Sequence, residues 1–233
     1  MNVIITGASK GLGKAIAEKF AADQNHLVVC ARNADQLAMM MEEIKARFTG
    51  CTIAGKAVDV ADRKQLDGFA QWIIKEGWVP GVLVNNAGQF YPGSVYNEEE
   101  GALEKTMAVN LYSAYHLTRA LLPGMMQARK GHIFNMCSIA SHHAYANGGS
   151  YSISKFALLG FSKNLREEMK PFGIKVTAIS PGATLTPSWE GAGVDPKRIM
   201  EAADVADMIY AASQLSPMAV VEDIILRPQL GDL

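Results

Sequence analysis

At 233 residues, with 49% hydrophobic and 19% charged residues, the chain is long enough for one sizeable core and has an ordinary globular composition. That excludes a disordered, collagen-like or coiled-coil chain. Twenty-two Lys and Arg face 23 Asp and Glu, a net charge of -1, so neither nucleic acid nor an anionic membrane is expected as the main partner. Cys30, Cys51 and Cys137 show no CxxC or Cys/His ligand spacing. A disulfide framework and a metal site are therefore not expected, and a reducing compartment fits. The chain reaches a glycine-rich turn at once, without a charged and then apolar leader, and no apolar run approaches the ~20 residues that span a bilayer. A soluble cytoplasmic protein is the expectation.

Short β-branched runs alternate with segments of helical period. Strands are predicted at residues 3–6, 27–31, 52–59, 82–85, 132–137, 175–180 and 223–226. Helices are predicted at residues 13–22, 35–48, 63–75, 103–128, 151–170 and 204–215. Strict β/α alternation implies a mostly parallel seven-stranded sheet with helices on both faces, because parallel strands need crossover helices. The predicted fold is thus α/β, a doubly wound Rossmann arrangement in a single domain over residues 1–233. Ligands of such folds bind at the carboxyl ends of the strands.

Between the first strand and first helix lies Thr6-Gly7-Ala8-Ser9-Lys10-Gly11-Leu12-Gly13. Amides there can point at an anion, and the missing side chains let a pyrophosphate approach. An acid closing the second strand would bond a ribose 2′-hydroxyl, whereas an arginine accommodates a 2′-phosphate. Here the strand ends Cys30-Ala31-Arg32, and Lys10 adds a second cation. The pair predicts NADP (NADPH) as the dinucleotide. The bland alternative is two solvated surface charges.

Tyr151 and Lys155 are four apart at the start of a helical segment, so they share a face. A phenol titrates near 10, and a neighbouring cation lowers that toward the working range of a general acid–base. Ser138 ends a strand 13 residues earlier and could bond the same substrate oxygen.

With these residues in place, the chain resembles the short-chain dehydrogenase/reductase family over essentially its whole length. The motifs run in family order: TGxxxGxG at Thr6–Gly13, Asp59-Val60, Asn85-Asn86-Ala87-Gly88, Asn110, Ser138, Tyr151-Ser-Ile-Ser-Lys155 and Pro181-Gly182. The resemblance implies a reaction at a C–OH or C=O group with NADP, with Asn110, Ser138, Tyr151 and Lys155 catalytic. It implies that Gly7, Ser9, Lys10, Gly11, Leu12, Gly13 and Arg32 bind the cofactor, with Asp59 and Val60 at the adenine and Asn86, Ala87 and Gly88 along it. Lys155 would hold the nicotinamide ribose beside Tyr151, Asn110 would support a water leading from Lys155 to solvent, and Pro181, Gly182, Thr184 and Thr186 would meet the carboxamide end. Thr184 stands where the family usually has Val or Ile, a change expected to be tolerated because the contact is a backbone amide. The C-terminal ending, with Leu230-Gly231-Asp232-Leu233, resembles bacterial sepiapterin reductases within that family.

Three loops should cover the substrate, after the fourth, fifth and sixth strands: residues 89–92, 139–149 and 185–197. Phe90, Tyr145 and Trp189 could stack on a flat ring, and Asp232 could accept from an amino-pyrimidinone edge. The His142-His143 pair has no third ligand spaced with it, and no metal is expected. The leading expectation is an NADPH-dependent reductase of a small-molecule carbonyl, sepiapterin-like or a diketone. A 3-oxoacyl thioester or general carbonyl reductase is the alternative, and a non-catalytic nucleotide-sensing regulator a weaker one. A homodimer or homotetramer, packed through the helices at 103–128 and 151–170, is implied by the resemblance.

Overall fold

The computed structural model describes residues 1–189 and 193–232. Residues 190–192 of the loop expected over the substrate, and Leu233 of the C-terminal ending, lie outside the described residues. The strands are β1 Asn2–Thr6, β2 His26–Ala31, β3 Thr52–Ala57, β4 Val82–Asn85, β5 Gly131–Met136, β6 Ile174–Pro181 and β7 Asp223–Leu226. The helices are α1 Gly11–Ala22, α2 Ala34–Arg47, α3 Arg63–Lys75, α4 Ala102–Met107, α5 Ser113–Ala128, α6 Gly149–Met169 and α7 Ala202–Ser213.

All seven strands pair in parallel in the order β3-β2-β1-β4-β5-β6-β7. The order reverses between β1 and β4, and a crevice opens at the carboxyl ends of strands at such a switch point. Alternation along β1 sends Val3 and Ile5 to one face and Ile4 to the other. On the first face they meet Ile16 and Phe20 of α1, Leu37 of α2 and Ile209 of α7. On the second, Ile4 and Leu83 pack with Leu66 and Phe69 of α3, Leu117 and Leu121 of α5 and Leu165 of α6. Both faces are covered, as a parallel sheet requires.

Most elements begin or end within two residues of their predicted bounds, and two departures bear on the site. The third strand stops at Ala57 rather than running to residue 59. Beyond it, Asp59 Oδ1 accepts from Ala61 N at 3.0 Å, a local turn that withdraws the backbone from the sheet. The single helix predicted over 103–128 is two helices joined by a π-helical turn at Ala108–Tyr112. That turn carries Asn110, whose amide bonds two distant segments, and such widened turns are frequent at functional sites.

Candidate active site

The glycine turn is shaped by close approach. Gly7 has φ +67° and Gly11 φ +56°, conformations that favour glycine. A Cβ on Gly7 would lie 2.9 Å from Ala87 Cα, and one on Gly13 would collide with the Gly7 carbonyl and the Asn86 side chain. The turn is tied to the end of β4 by Thr6 and Asn86. Thr6 Oγ1 accepts from the amides of Asn86 (3.1 Å) and Ala87 (3.0 Å), and Asn86 Nδ2 donates to the carbonyls of Thr6 (2.9 Å) and Gly7 (3.0 Å). Asn86 is thus a strut across the switch point.

α1 starts with Lys10 as N-cap and no capping side chain, and its first intrahelical bond runs from Lys14 N to Lys10 O at 3.3 Å. The amides before Lys14 have no partner inside the helix, and their positive end suits an anion. A cavity of about 320 Å³ opens there, lined by Ser9, Lys10, Lys14, Gln36, Glu43 and Pro187 among others. Lys14 is paired with Glu43. Lys10 and Arg32 are exposed, and neither has an ion pair among the described residues. These features fit a phosphate-bearing dinucleotide: an open helix terminus, glycines that admit close approach and free cations. Leu12 packs against the core on the α1 face, while Val60 is buried among residues of the opposite face and Asp59 is half-buried.

Tyr151 and Lys155 lie in α6, one turn apart. The helix N-terminus is capped from the loop after β4, where Glu98 accepts from Ser150 N at 2.8 Å and from its hydroxyl. Lys155 is 5% exposed and donates to Met136 O at 2.6 Å. Burial lowers its pKa to about 8. Ser138, at the carboxyl end of β5, accepts from Ala140 N at 3.2 Å, and its side chain lies near enough to the Tyr151 phenol to affect its titration. Burial raises the Tyr151 pKa, and the neighbouring Ser138 side chain opposes that rise without reversing it. The expected lowering by Lys155 is therefore not what dominates in the free protein. The ammonium stands 5.6 Å from the ring centroid, and desolvation of the phenolate is the largest influence on its pKa.

Asn110 is 1% exposed. Its Oδ1 accepts from Gln89 N (2.8 Å), and its Nδ2 donates to Gln89 O (3.0 Å) and Ser154 Oγ (2.9 Å). A Cβ on Gly88 would lie 3.4 Å from Lys155 Nζ and 3.5 Å from Asn110 Oδ1, so all three border one space. Gln89, Ser154 and the Met136 carbonyl were not apparent from sequence. Only Ser154 carried a signal, its three-residue spacing from Tyr151 on the same helical face.

Among the expected substrate residues, Phe90 lies against Tyr151, and Tyr145 lines an apolar cavity of about 370 Å³ with Val95, Ser152, Ile153 and Phe156. Trp189 is half-buried in a short helical turn, Pro187–Trp189, reached through Thr186. The Thr184 hydroxyl donates to its own Gly182 carbonyl at 3.0 Å, which accounts for a polar residue where an apolar one is usual. Gly182 N donates to Leu226 O at 2.8 Å beyond Pro181, and Thr186 packs beside Gly11. Asp232 Oδ2 is paired with Arg227 Nη2 at 2.5 Å, so the carboxylate does not offer both oxygens to a ligand. No group of three His, Cys, Asp or Glu able to hold a metal exists among the described residues.

A family model described as short chain dehydrogenase matches residues 1–196. The chain belongs to that family. It is an oxidoreductase, and the seven-stranded fold and reaction class expected from sequence stand. A curated relative, sepiapterin reductase of Chlorobaculum tepidum, is 31% identical over 99% of this chain and 97% of its own. A metagenomic short-chain oxidoreductase solved in complex with NADP has TM-score 0.85 at 28% identity, covering 98% of this chain and 97% of its own. L-sorbose reductase from Gluconobacter frateurii, solved with NADPH and L-sorbose, has TM-score 0.88 at 28% identity, covering 96% and 94%. No helix among the described residues is long and apolar enough to cross a membrane.

Proposed function

We propose that this oxidoreductase is NADP(H)-dependent and reduces a ketone or aldehyde carbonyl to an alcohol. The observation that carries the reading is the juxtaposition of the Ser138 side chain and the Tyr151 phenol at the carboxyl end of β5, with buried Lys155 one turn along α6. NADPH, when bound, supplies the hydride for the carbonyl carbon. Ser138 orients the carbonyl oxygen and Tyr151 gives it the phenolic proton. The raised Tyr151 pKa suits a group that must hold its proton until the transfer. Lys155 holds the ribose and, through the space shared with Asn110 and Gly88, returns a proton to Tyr151.

Ala31 and the free cations Arg32 and Lys10 support NADP over NAD. Gly7, Ser9, Gly11, Leu12 and Gly13 form the pyrophosphate cradle, Asp59 and Val60 flank the adenine, and Asn86–Gly88 with Pro181, Gly182, Thr184 and Thr186 line the nicotinamide end. Neighbours solved with NADP and with NADPH support the same reading.

The chain works as one domain whose loops after β4, β5 and β6 receive the substrate. A sepiapterin-like pterin or a diketone fits best, because Phe90, Tyr145 and Trp189 supply rings and Asp232 supplies an acceptor. The reductase from Chlorobaculum tepidum supports that choice. A 3-oxoacyl thioester is the alternative. A cytoplasmic homodimer or homotetramer completes the proposal, with half-exposed Tyr112, Ile153 and Phe156 as covered apolar residues. Oxidation of NADPH and of NADH, measured against sepiapterin, 2,3-butanedione, an aldehyde and a 3-oxoacyl thioester, tests the cofactor and substrate reading, and light scattering at micromolar concentration tests the oligomer. No NADPH-dependent turnover of any of these compounds would sink the reading.

A further inference from the structure

The loop leaving β6 and the C-terminal tail meet on one side chain. Arg198 Nη1 donates to Gly231 O at 2.9 Å, and its Nη2 donates to Leu230 O at 3.2 Å and Asp232 O at 3.1 Å. A guanidinium is a rigid planar fork, so one arginine can gather three successive carbonyls where an ammonium would hold fewer in fixed geometry.

Each end of this contact is anchored. On the loop side, Leu185 N donates to Met200 O at 2.7 Å and Met200 N to Ala183 O at 3.1 Å, so Arg198 stands two residues from a fixed root. On the tail side, Arg227 takes Asp232 Oδ2. The other carboxylate oxygen, Oδ1, is buried with no partner among the described residues. It lies against Gly182, where a Cβ would come within 2.8 Å of it. A buried carboxylate oxygen without a donor is costly, and a donor brought by a ligand removes that cost.

We propose that Arg198 is a positioning residue for substrate choice: it holds the tail so that Asp232 Oδ1 waits at the carboxyl end of β6 for a carbonyl compound bearing an N–H donor. The inference rests on the reading that Asp232 meets the substrate. Its consequence is that the segment around Arg198 and the tail act as one unit, and that loosening Arg198 misplaces an acceptor without touching Tyr151.

The test compares kcat/KM for sepiapterin, which carries N–H donors, with kcat/KM for 2,3-butanedione, which carries none. Asp232→Ala and Arg198→Met should each lower the ratio about tenfold or more, through the sepiapterin KM, since hydrogen bonds to charged groups are worth at least that factor. The double variant should lower it no further than either single one, because both remove one interaction. Arg198→Lys should fall between wild type and Arg198→Met. If Asp232→Ala lowers the ratio and Arg198→Met does not, the inference is overturned while the role of Asp232 survives. If Asp232→Ala leaves the ratio unchanged, or wild type shows no preference for sepiapterin, both fall. An equal loss on both substrates with a lower Tm would mark Arg198 as merely structural and also overturn the inference.

Discussion

The rings of Phe90 and Tyr151 stand edge to face, with centroids 4.9 Å apart and planes at 81°. Phe90 belongs to the loop after β4, and its neighbour Gln89 is held at both backbone groups by Asn110. The π turn in the long helical segment therefore fixes a ring beside the phenol, and Phe90 itself remains half-exposed. Such pairs are worth about 0.5–1.5 kcal/mol beyond burial.

Tyr151→Phe should lower kcat by about 10²-fold or more while leaving NADPH affinity nearly unchanged, because only the phenolic proton is lost and the ring still packs on Phe90. Single-turnover kinetics and titration of NADPH fluorescence separate the two quantities. Turnover close to wild type would remove Tyr151 from the chemistry.

Two glycines should respond with opposite sign to the same added methyl. Gly13→Ala places a Cβ against the Gly7 carbonyl and the Asn86 amide, and it should destabilise by about 3 kcal/mol or lose the folded state. Gly68 lies exposed in α3 with nothing within 4 Å of its added Cβ. Gly68→Ala should stabilise by about 0.5–1 kcal/mol through helix propensity alone. Urea unfolding of both variants checks the contrast, and a destabilised Gly68→Ala would contradict it.

His132 gives the fold an acid-sensitive limb. It is 4% exposed in β5, its Nε2 lies 2.6 Å from Thr177 Oγ1 and its ring stacks on Phe134. Burial, with a smaller contribution from the Lys175 ammonium, lowers its pKa to about 3. The unfolded chain, titrating near 6.5, binds the extra proton between those values. The stabilisation is thus complete above the unfolded pKa and is lost as pH falls from about 6.5 toward 3. By pH 5 the loss should amount to about 2 kcal/mol relative to pH 8. His132→Gln should shrink the difference in unfolding free energy between pH 8 and pH 5 by about that amount. An unchanged difference would mean the group titrates alike in both states.

What could be read in the sequence was local. The match of β4 and β7 to their predicted ends, and of α3 from Arg63, follows from short apolar runs and from Asp62, whose carboxylate caps the helix by accepting from Lys64 and Gln65 amides. The family motifs carried Ser138, Tyr151 and Lys155 to one place. The break at Ala108–Tyr112 had no local signature, since the partners that stabilise it, Gln89 and Ser154, are 21 and 44 residues away. The clamp of Arg198 on the tail was invisible for a similar reason, because its acceptors are backbone carbonyls that any residue would supply. The direction of the Tyr151 shift is not legible in sequence, because spacing reports a neighbouring charge but not the depth of burial.

Cofactor choice rests on an absence as much as on charges. β2 ends at Ala31, 5% exposed, whose carbonyl accepts from Val58 N at 3.0 Å, and no carboxylate follows before Asp35 in α2. Arg32 is exposed beside it, and Lys10 stands at the open end of α1. A well-formed hydrogen bond from such a cation to a 2′-phosphate is worth about 1.5–3 kcal/mol, and each 1.4 kcal/mol is about tenfold in binding. Exposure and salt reduce these values, so preference for NADPH over NADH should shrink as ionic strength rises. Ala31→Asp combined with Arg32→Ala should reverse the preference, since the new carboxylate accepts from the ribose hydroxyls and repels the phosphate. Lys14 remains engaged with Glu43 in that variant and should contribute little to the reversal. Steady-state kcat/KM for both cofactors, at low and high salt, measures each step. Equal values for NADH and NADPH in the unmodified protein would show that neither Arg32 nor Lys10 reaches the phosphate.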